Sequence, residues 1–286
     1  MKPLGLVDGM IVSLDEPIIS MEDRGYQFGD GVYEVTKVYN GRLFAFAQHR
    51  ERLYRSLREL RIPAVWTAEE LQQFHQLLIA ESGIKDGGVY LQITRGVAPR
   101  AHNFPENVVP KLTMSIRPAG SANASLRETG AKILFAPDER WLRCDIKSLN
   151  LLGNLMAKQK AKEAGCFEAV MIRDGVITEG SSSNFMIVKD GVLWTHPLGN
   201  LILKGVTRTL IVEKIAPELG LPVIEKAFNT SFAGGADEAF VCGTNTEIVP
   251  VVTMDNNPVA NGQVGAVTRK LQQAFNKLID IECQRN

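Results

Sequence analysis

The order of hydrophobic and polar residues predicts a chain rich in hairpins, with helices placed between them. Four Asp-Gly or Asn-Gly steps are flanked by short apolar stretches, which is the pattern of β-hairpins with two-residue turns. These steps are Asp8-Gly9, Asn40-Gly41, Asp174-Gly175 and Asp190-Gly191. Further strands are predicted in GVYLQITRG, in VPKLTMSIRP, around residues 132–136 and in DEAFVCGTNTEIVPVV.

Helical periodicity marks the segments between these strands. Leu53, Leu57 and Leu60 recur at spacings of four and three residues, which predicts an amphipathic helix. Thr67 with Glu70 forms a capping box that predicts the start of a second helix, running to residue 79. The segments GVTRTLIVEKIAPELG and GAVTRKLQQAFNKLIDI predict two more. Hairpins interspersed with helices favour an α+β fold over a doubly wound parallel sheet.

The stretch PAGSANASLRETG, residues 118–130, is small and polar and has no periodicity. Such a stretch is typical of a linker. We therefore predict an N-terminal domain over residues 1–118, a linker over 119–130 and a C-terminal domain over 131–286.

The segment WLRCDIKSLNLLGN, residues 141–154, carries a lysine near a predicted junction of two elements. Strand alternation over its first half places Trp141, Arg143, Asp145 and Lys147 on one face. From Leu149 onward the pattern turns helical, with the helix ending near residue 165. Lys147 is then either a solvated surface lysine or an amine held to attack a carbonyl, and Arg143 on the same face would lower the pKa of that amine.

Composition excludes several classes of function. The 286 residues contain 32 Lys and Arg against 32 Asp and Glu, so the chain lacks the basic excess that nucleic acids and anionic membranes require. The N-terminus has no apolar signal-peptide core, and no apolar run approaches the length of a membrane span. The four cysteines form no C-x-x-C pair and the four histidines no metal-ligand spacing, which predicts a cytoplasmic protein with reduced thiols and no metal site.

A carbonyl-bearing cofactor such as pyridoxal phosphate needs a lysine, an acid beside the pyridine nitrogen and donors for the phosphate. The acid candidate is Glu179 in ITEGSSSN, where residues 181–183 are serines. Those hydroxyls either bind a polar ligand or cap their own loop. Anion candidates are the helix start at Val206-Thr207 and the turn at Gly243-Thr244, each of which also fits an ordinary cap or turn.

Arginines and a histidine complete the set of candidates. Arg52, on the first long helix, would add a charged contact to a phosphate, or is an ordinary face residue. Arg100 and His102 lie two residues apart on a connection too long for a tight turn. Arginine binds a carboxylate through two parallel hydrogen bonds, so this pair would bind an acid substrate, or is ordinary loop polarity.

Five motifs taken together resemble one family. DRGYQFGDGVYE, TRG followed by PRAHNFPEN, RWLRCDIKSLNLL, TEGSSSN and LKGVTR are similar, in this order and spacing, to the D-amino acid aminotransferases. That family belongs to the fold type IV pyridoxal phosphate enzymes, alongside branched-chain aminotransferases and aminodeoxychorismate lyases. The similarity covers residues 8–277. It implies a homodimer with two domains, a smaller N-terminal α/β sandwich and a larger C-terminal α/β barrel-like domain, and the cofactor in the cleft between them.

The resemblance also implies a role for each matched residue. Lys147 matches the Schiff-base lysine and Glu179 the partner of the pyridine nitrogen. The implied phosphate cup consists of Arg52, the Val206 and Thr207 backbone, and Thr244, while Leu203 lies against the ring and Ser182 tethers the cofactor. Tyr33, Arg100 and His102 match the trap for the substrate α-carboxylate. Gly243 departs from the pattern, because the family has a serine there that would give the phosphate one more hydroxyl.

The implied reaction is a transamination of D-amino acids with 2-oxo acids, such as D-alanine with 2-oxoglutarate to give pyruvate and D-glutamate. The Arg-x-His pair separates this branch from the branched-chain and lyase branches. Two alternatives remain open. One is another fold type IV aminotransferase, for L-branched-chain amino acids or (R)-amines. The other is a non-catalytic protein that binds pyridoxal phosphate or another phosphate ligand.

Overall fold

The computed structural model describes residues 2–120 and 124–285 and divides into two compact units. The first unit contains the residues up to 119, together with 146–150 and those from 281 onward. The second contains 120–145 and 151–280. The predicted domain boundaries remain a prediction, and the division adds that the segment carrying Lys147 belongs to the first unit.

The first unit is built on one antiparallel sheet of six strands in the order β2-β1-β6-β5-β3-β4. Alternate side chains of the long strands are buried, because one face of the sheet packs against helices. Leu57 of helix α2 and Leu71 of helix α3 meet Leu91 of β5 in this core. The elements are β1 Leu4–Val7, β2 Met10–Val12, α1 Arg24–Phe28, β3 Gly31–Tyr39, β4 Arg42–Leu43, α2 Phe46–Glu59, α3 Ala68–Ser82, β5 Gly87–Thr94 and β6 Lys111–Pro118.

The second unit holds a nine-stranded mixed sheet in the order β12-β11-β10-β13-β14-β7-β8-β9, with β15 paired to β14. Strand pairs β11/β12, β14/β7 and β7/β8 are parallel and the others antiparallel. Its strands are β7 Ala131–Pro137, β8 Glu168–Arg173, β9 Val176–Gly180, β10 Asn184–Lys189, β11 Val192–Thr195, β12 Val223–Glu225, β13 Glu238–Gly243, β14 Glu247–Met254 and β15 Asn257–Pro258. Its helices are α4 Ala124–Thr129, α5 Leu152–Glu163, α6 Val206–Leu210, α7 Ala216–Glu218 and α8 Thr230–Gly234, with a π-helical turn Ile211–Ile215 joining α6 to α7, and α9 Ala266–Cys283 begins here.

The four hairpin predictions are confirmed. In each predicted turn the Asp or Asn and the following glycine both have positive φ, for example 52° at Asp174 and 77° at Gly175. Those angles belong to the turn type whose twist matches that of the flanking strands. The α+β class and the capping box at Thr67 are also confirmed, the latter with both reciprocal hydrogen bonds present. Among the described residues, no helix combines the length and apolar composition needed to cross a membrane.

Two local predictions are wrong. Residues 141–147 form no strand, and helix α5 begins at Leu152 rather than near residue 149. The alternation there does not come from a strand, since the segment is irregular and turns at residues 144–145. The stretch 118–130 contains helix α4, whose Arg127 pairs with Glu247 at 3.0 Å, while residues 121–123 lie outside the described part of the chain.

Candidate active site

Lys147 is held by its backbone on both sides within the first unit. Its N–H donates to the hydroxyl of Ser56, a fully buried residue of α2, at 3.2 Å. Its carbonyl accepts from the N–H of Tyr33 on β3 at 3.0 Å. A bridge between Val32 and Ser148 continues this pairing along β3. The backbone at Lys147 is therefore fixed by tertiary pairing with β3 and α2, and not by a strand of its own.

The amine of Lys147 lies over an aromatic ring. Its Nζ is 4.2 Å from the centroid of the Tyr33 ring, and Tyr33 stacks on Tyr90 at 5.7 Å. The quadrupole of an aromatic face attracts a cation, which favours one position for a long, flexible side chain. Arg143 does not supply a free cation for this lysine, because its guanidinium bonds Asp145 through Nε at 3.0 Å.

A buried carboxylate, Glu34 on β3, organises the same region. Two nitrogens of Arg52 donate to it at 2.7 and 2.8 Å, and His49 Nδ1 bonds it at 2.8 Å. Burial alone would raise the pKa of Glu34, but the charge and hydrogen bonds of Arg52 outweigh it and hold that pKa well below its usual range. Burial lowers the pKa of His49 in spite of Glu34. Arg52, predicted to contact a phosphate, is thus also a partner of Glu34.

Arg100 and His102 lie on the exposed connection between β5 and β6, and both turn toward Phe28. The guanidinium carbon of Arg100 is 4.7 Å from the centroid of the Phe28 ring. His102 meets the same ring edge-on, with 5.8 Å between ring centroids. The structure therefore brings these two predicted substrate residues together.

Glu179, the last but one residue of β9, is buried at 5 % exposure in the second unit. Its Oε1 accepts from Arg140 Nη1 at 2.5 Å, and its Oε2 accepts from Asn184 Nδ2 at 2.9 Å and from the N–H of Leu203 at 3.1 Å. Burial raises the pKa of Glu179 to about 7, although Arg140 acts against it. A second buried acid, Asp138, receives two nitrogens of Arg140 at 2.8 and 2.9 Å.

Asn184 connects Glu179 to a helix start. Its amide bonds both the Glu179 carboxylate and the carbonyl of Leu203, and its Oδ1 occupies the space where a Cβ on Gly205 would sit, at 2.0 Å. Gly205 is the N-cap of α6 and has no side chain to accept from the first turn. The N–H groups of Val206 and Thr207 in that turn are free of intrahelical partners.

The serine run after Glu179 serves a buried carboxylate. Glu168, at 0 % exposure, accepts from the hydroxyls of all three serines: Ser182 Oγ at 3.0 Å, Ser183 Oγ at 2.9 Å, and Ser181 Oγ at a shorter distance. Glu168 is a partner that neither alternative included, and the contact of Ser182 with a ligand stays a prediction. Each hydroxyl has one proton, and here it is directed at Glu168.

The turn after β13 adjoins this serine loop. A Cβ built on Gly243 would lie 3.4 Å from the carbonyl oxygen of Ser182 and 3.8 Å from Cα of Ser183, which is ordinary contact. Thr244 begins the turn and is half-buried. The second unit thus gathers Glu179, Ser182, Leu203, the Val206-Thr207 backbone and Thr244 around the β10/β13 pair and the start of α6.

Sequence patterns missed the residues that support this arrangement. They lie in or beside segments that read as strands or loops. Glu168 and Asn184 are buried, and the side chains of Arg140 and Asp138 are 5% and 0% exposed, which depends on partners distant in sequence. The only available signal was a charged residue next to a predicted buried strand, as in the triplet Asp138-Glu139-Arg140 after β7. That signal does not distinguish a buried ion pair from a solvated loop.

Comparison with known proteins identifies the class. The family model of the class IV aminotransferases matches residues 31–254. The chain therefore belongs to the class IV aminotransferases.

Curated relatives match over nearly the whole chain. A D-alanine aminotransferase of Staphylococcus aureus (strain COL) is 43% identical over 274 residues, which cover 96% of this chain and 97% of the relative. A D-alanine aminotransferase of Bacillus licheniformis is also 43% identical, with 96% of each chain covered.

Solved structures show the same fold. The Escherichia coli branched-chain amino acid aminotransferase has a TM-score of 0.92 and 26% identity, covering 98% of this chain and 95% of that one. A branched-chain aminotransferase of the archaeon Thermoproteus uzoniensis, solved with norvaline, has a TM-score of 0.88 and 28% identity, covering 98% and 95%. The two-domain α+β fold of type IV is thereby confirmed.

The residues present fit the cofactor that this class implies. The α6 start has a glycine N-cap and no acidic residue in its first turn, and the N–H groups of a first helical turn lack intrahelical acceptors, which suits a phosphate. The pKa of Glu179 near 7 marks a carboxylate whose charge is under-compensated, and a protonated pyridine nitrogen would complete its set of donors. Lys147 supplies an amine with a fixed backbone.

Proposed function

We propose that this chain is a pyridoxal phosphate-dependent aminotransferase of D-amino acids, which converts D-alanine and 2-oxoglutarate to pyruvate and D-glutamate. The observation that carries the proposal is the ordered lysine, Lys147, in a chain that is 43% identical over 96% of its length to a D-alanine aminotransferase. A non-catalytic binding protein would not require a lysine held in this way.

Residues of this chain would hold the cofactor as follows. The Val206 and Thr207 N–H groups, Thr244 and Arg52 would bind the phosphate, and Glu179 would pair with the pyridine nitrogen. Leu203 would contact the ring, and the Ser182 hydroxyl, which donates to Glu168 in this structure, would turn its proton toward the cofactor when it is bound. Pyridoxal phosphate, when bound, supplies an electron-withdrawing ring to the substrate Cα.

The chemical step that the chain itself would carry out is the transfer of the proton of the substrate Cα by Lys147. Lys147 Nζ is the amine that we assign to the cofactor carbonyl and, once released, to the proton of the substrate Cα. The Tyr33 ring below Nζ keeps that amine near one position. Arg140 acts against the burial that raises the pKa of Glu179, and the charged form of Glu179 would favour a protonated ring nitrogen and so a stronger withdrawal of electrons.

Substrate binding falls to Tyr33, Arg100 and His102. The Arg100 guanidinium can form two parallel hydrogen bonds with an α-carboxylate, and His102 beside it adds a further donor.

We also propose that the chain works as a homodimer. Helix α5 exposes Leu152, Leu155 and Met156 at 57 to 77%, which is an apolar stripe that a second copy would cover. The four free thiols fit a reducing cytoplasm.

The decisive experiment mixes the purified protein with D-alanine and 2-oxoglutarate and measures pyruvate and D-glutamate. L-alanine and L-leucine are the parallel substrates. A rate with D-alanine at least tenfold above both L-substrates supports the proposal, and equal or higher rates with L-leucine overturn it.

A second candidate is transamination of L-branched-chain amino acids. It is favoured by the solved structures, since the E. coli neighbour and the T. uzoniensis neighbour are named branched-chain aminotransferases at 26% and 28% identity. The higher identity to D-alanine aminotransferases, 43%, supports the D-amino acid reaction as the first candidate. The same assay separates the two.

A further inference from the structure

Arg100 and His102 lie on a connection of sixteen residues between β5 and β6. Contacts with other parts of the protein must hold this connection in one conformation if both side chains are to bind the same carboxylate. Ordering long side chains at the moment of binding costs conformational entropy and weakens affinity. Within the described part of the first unit, one set of contacts joins this connection to helix α1 and the residues beside it, and a second set packs Phe104 against Arg95 and Arg61.

Backbone hydrogen bonds join the first residues of this connection to the start of helix α1. Arg24 N–H donates to the carbonyl of Gly96 at 3.0 Å, and Ala98 N–H donates to the carbonyl of Glu22 at 3.2 Å. Gly96 has φ of 112°, and a Cβ there would lie 2.1 Å from the carbonyl oxygen of Val109. The beginning and the end of the connection therefore contact each other at Gly96 and Val109, and only glycine fits at position 96.

The side chain of Arg24, on α1, contacts the connection at Ala101. Arg24 is 3 % exposed, its Nε donates to Asp30 at 2.8 Å, and its Nη1 donates to the carbonyl of Ala101 at 2.7 Å. Ala101 is the residue between Arg100 and His102, so this bond fixes the backbone from which both side chains project.

The side chains of Arg100 and His102 both contact the ring of Phe28, which lies on the same helix as Arg24. The Phe28 centroid is 4.8 Å from the Arg24 guanidinium carbon, 4.7 Å from that of Arg100 and 5.8 Å from the His102 ring. Three groups with positive or polarised edges thus surround one ring, which is the arrangement that an aromatic quadrupole favours. Asp30 accepts from both Arg24 and Arg95 at 2.8 Å, so its one negative charge offsets part of two positive charges.

We propose that Arg24 and Phe28 are positioning residues for substrate recognition: Arg24 fixes the backbone at Ala101, and the Phe28 ring holds Arg100 and His102 side by side for one carboxylate. The inference rests on the proposed function, and it assigns neither Arg24 nor Phe28 a contact with the reacting atoms. It predicts a loss that appears in KM for the amino acid, because a carboxylate held equally in ground and transition states affects KM alone.

The test compares substitutions on α1. Phe28→Leu removes the ring and keeps an apolar side chain, Phe28→Tyr keeps the ring, and Tyr26→Leu is the matched control, since Tyr26 is on the same helix and 75% exposed. We expect Phe28→Leu to raise KM for D-alanine roughly tenfold with kcat within about threefold of the parent. Phe28→Tyr should restore the parent KM, and Tyr26→Leu should keep it.

A second measurement does not depend on turnover. Arg24→Met removes the bond to the Ala101 carbonyl, so amide hydrogen exchange over residues 97–104 should rise at least tenfold, with exchange in β5 unchanged. A parent KM in Phe28→Leu together with parent exchange in Arg24→Met overturns the positioning role. If Arg24→Met fails to fold, the Phe28 series decides alone. If the parent protein itself does not transaminate D-alanine, the proposed function falls, and unchanged loop exchange would then refute the ordering separately.

Discussion

Arg140 and Glu179 form a buried ion pair in which Nη1 lies 2.5 Å from Oε1, with each side chain only 5 to 6% exposed. Burial dominates the pKa of Glu179 and raises it to about 7, so the arginine compensates the charge only in part. Removing one partner of such a pair leaves an uncompensated buried charge, which is why both residues are needed together. Asp138 anchors Arg140 from the other side, at 2.8 Å.

We expect Glu179→Gln to slow transamination roughly a hundredfold while the cofactor stays bound, because the amide keeps the shape of the carboxylate and loses its charge. The measurement is the single-turnover rate with D-alanine, alongside the absorbance spectrum of the bound cofactor. Asp190→Asn, an acid-to-amide change in a hairpin turn of the same unit, is the control. A variant that transaminates at the parent rate would show that Glu179 plays no part in electron withdrawal.

Lys147→Ala should lower turnover by several orders of magnitude, since the amine for the cofactor and the base for the Cα proton disappear together. Lys160→Ala is the matched control, because Lys160 is half-exposed and pairs only loosely with Glu139 at 3.7 Å. Borohydride reduction of the parent, followed by peptide mapping, should find the cofactor on Lys147. An adduct mapped to another lysine would remove Lys147 from this role.

Gly243→Ser should tighten binding of pyridoxal phosphate roughly tenfold, because the added hydroxyl would give the phosphate a charge-assisted hydrogen bond. The backbone leaves room for the new Cβ, whose closest neighbour would be the Ser182 carbonyl oxygen at 3.4 Å. The dissociation constant is measured by titrating the apo-protein and following cofactor absorbance. Gly243→Ala separates the hydroxyl from the Cβ, and equal affinity of the two variants would contradict the prediction.

His75 should make the first unit sensitive to acid. Burial lowers its pKa to about 4 from 6.5, its Nδ1 bonds the Leu71 carbonyl at 2.7 Å, and its ring packs on Phe46 at 4.9 Å. The unfolded chain takes up the proton first as pH falls, so the stabilisation is complete above pH 6.5 and is lost on the way to pH 4. This amounts to about 3 kcal/mol of the free energy of unfolding.

His75→Leu should lack this loss, so the difference in free energy of unfolding between parent and variant should change by that amount between pH 6.5 and 4. Urea unfolding followed by Trp66 fluorescence measures it, in a background where Trp141 and Trp194 of the other unit are replaced by Phe. Curves of parent and variant that run parallel over this range would show that His75 does not titrate as its burial requires.

Mixing two variants tests whether Arg100 serves the partner's site, with D-alanine kept far below the KM of Arg100→Ala so that neither variant alone shows activity. In a mixed dimer of Lys147→Ala and Arg100→Ala, a shared site would combine the intact lysine of one chain with the intact arginine of the other. Random exchange makes about half the dimers mixed with one good site each, so roughly a quarter of full activity should return. If mixing restores nothing while mass spectrometry shows that subunits exchanged, Arg100 acts within its own chain.

Elements with a local cause could be predicted from the sequence. The hairpin at Asp174-Gly175 follows from two residues that tolerate positive φ, and the start of α3 follows from the reciprocal bonds of Thr67 and Glu70. The enzyme class could be predicted from motifs, since short runs such as the one around Lys147 match those of the aminotransferase family in order and spacing. Both kinds of signal reside within a few consecutive residues.

The surroundings of the candidate site residues depend on packing between distant segments and could not be predicted. Lys147 reads as part of a strand, but its backbone pairs with Tyr33 and Ser56, which are 114 and 91 positions away in the chain. The serines after Glu179 read as ligands or loop caps, but they donate to Glu168, a carboxylate on another strand. Whether a polar group is buried, and which partner satisfies it, depends on packing between distant segments, and no pattern of neighbouring residues encodes that distance.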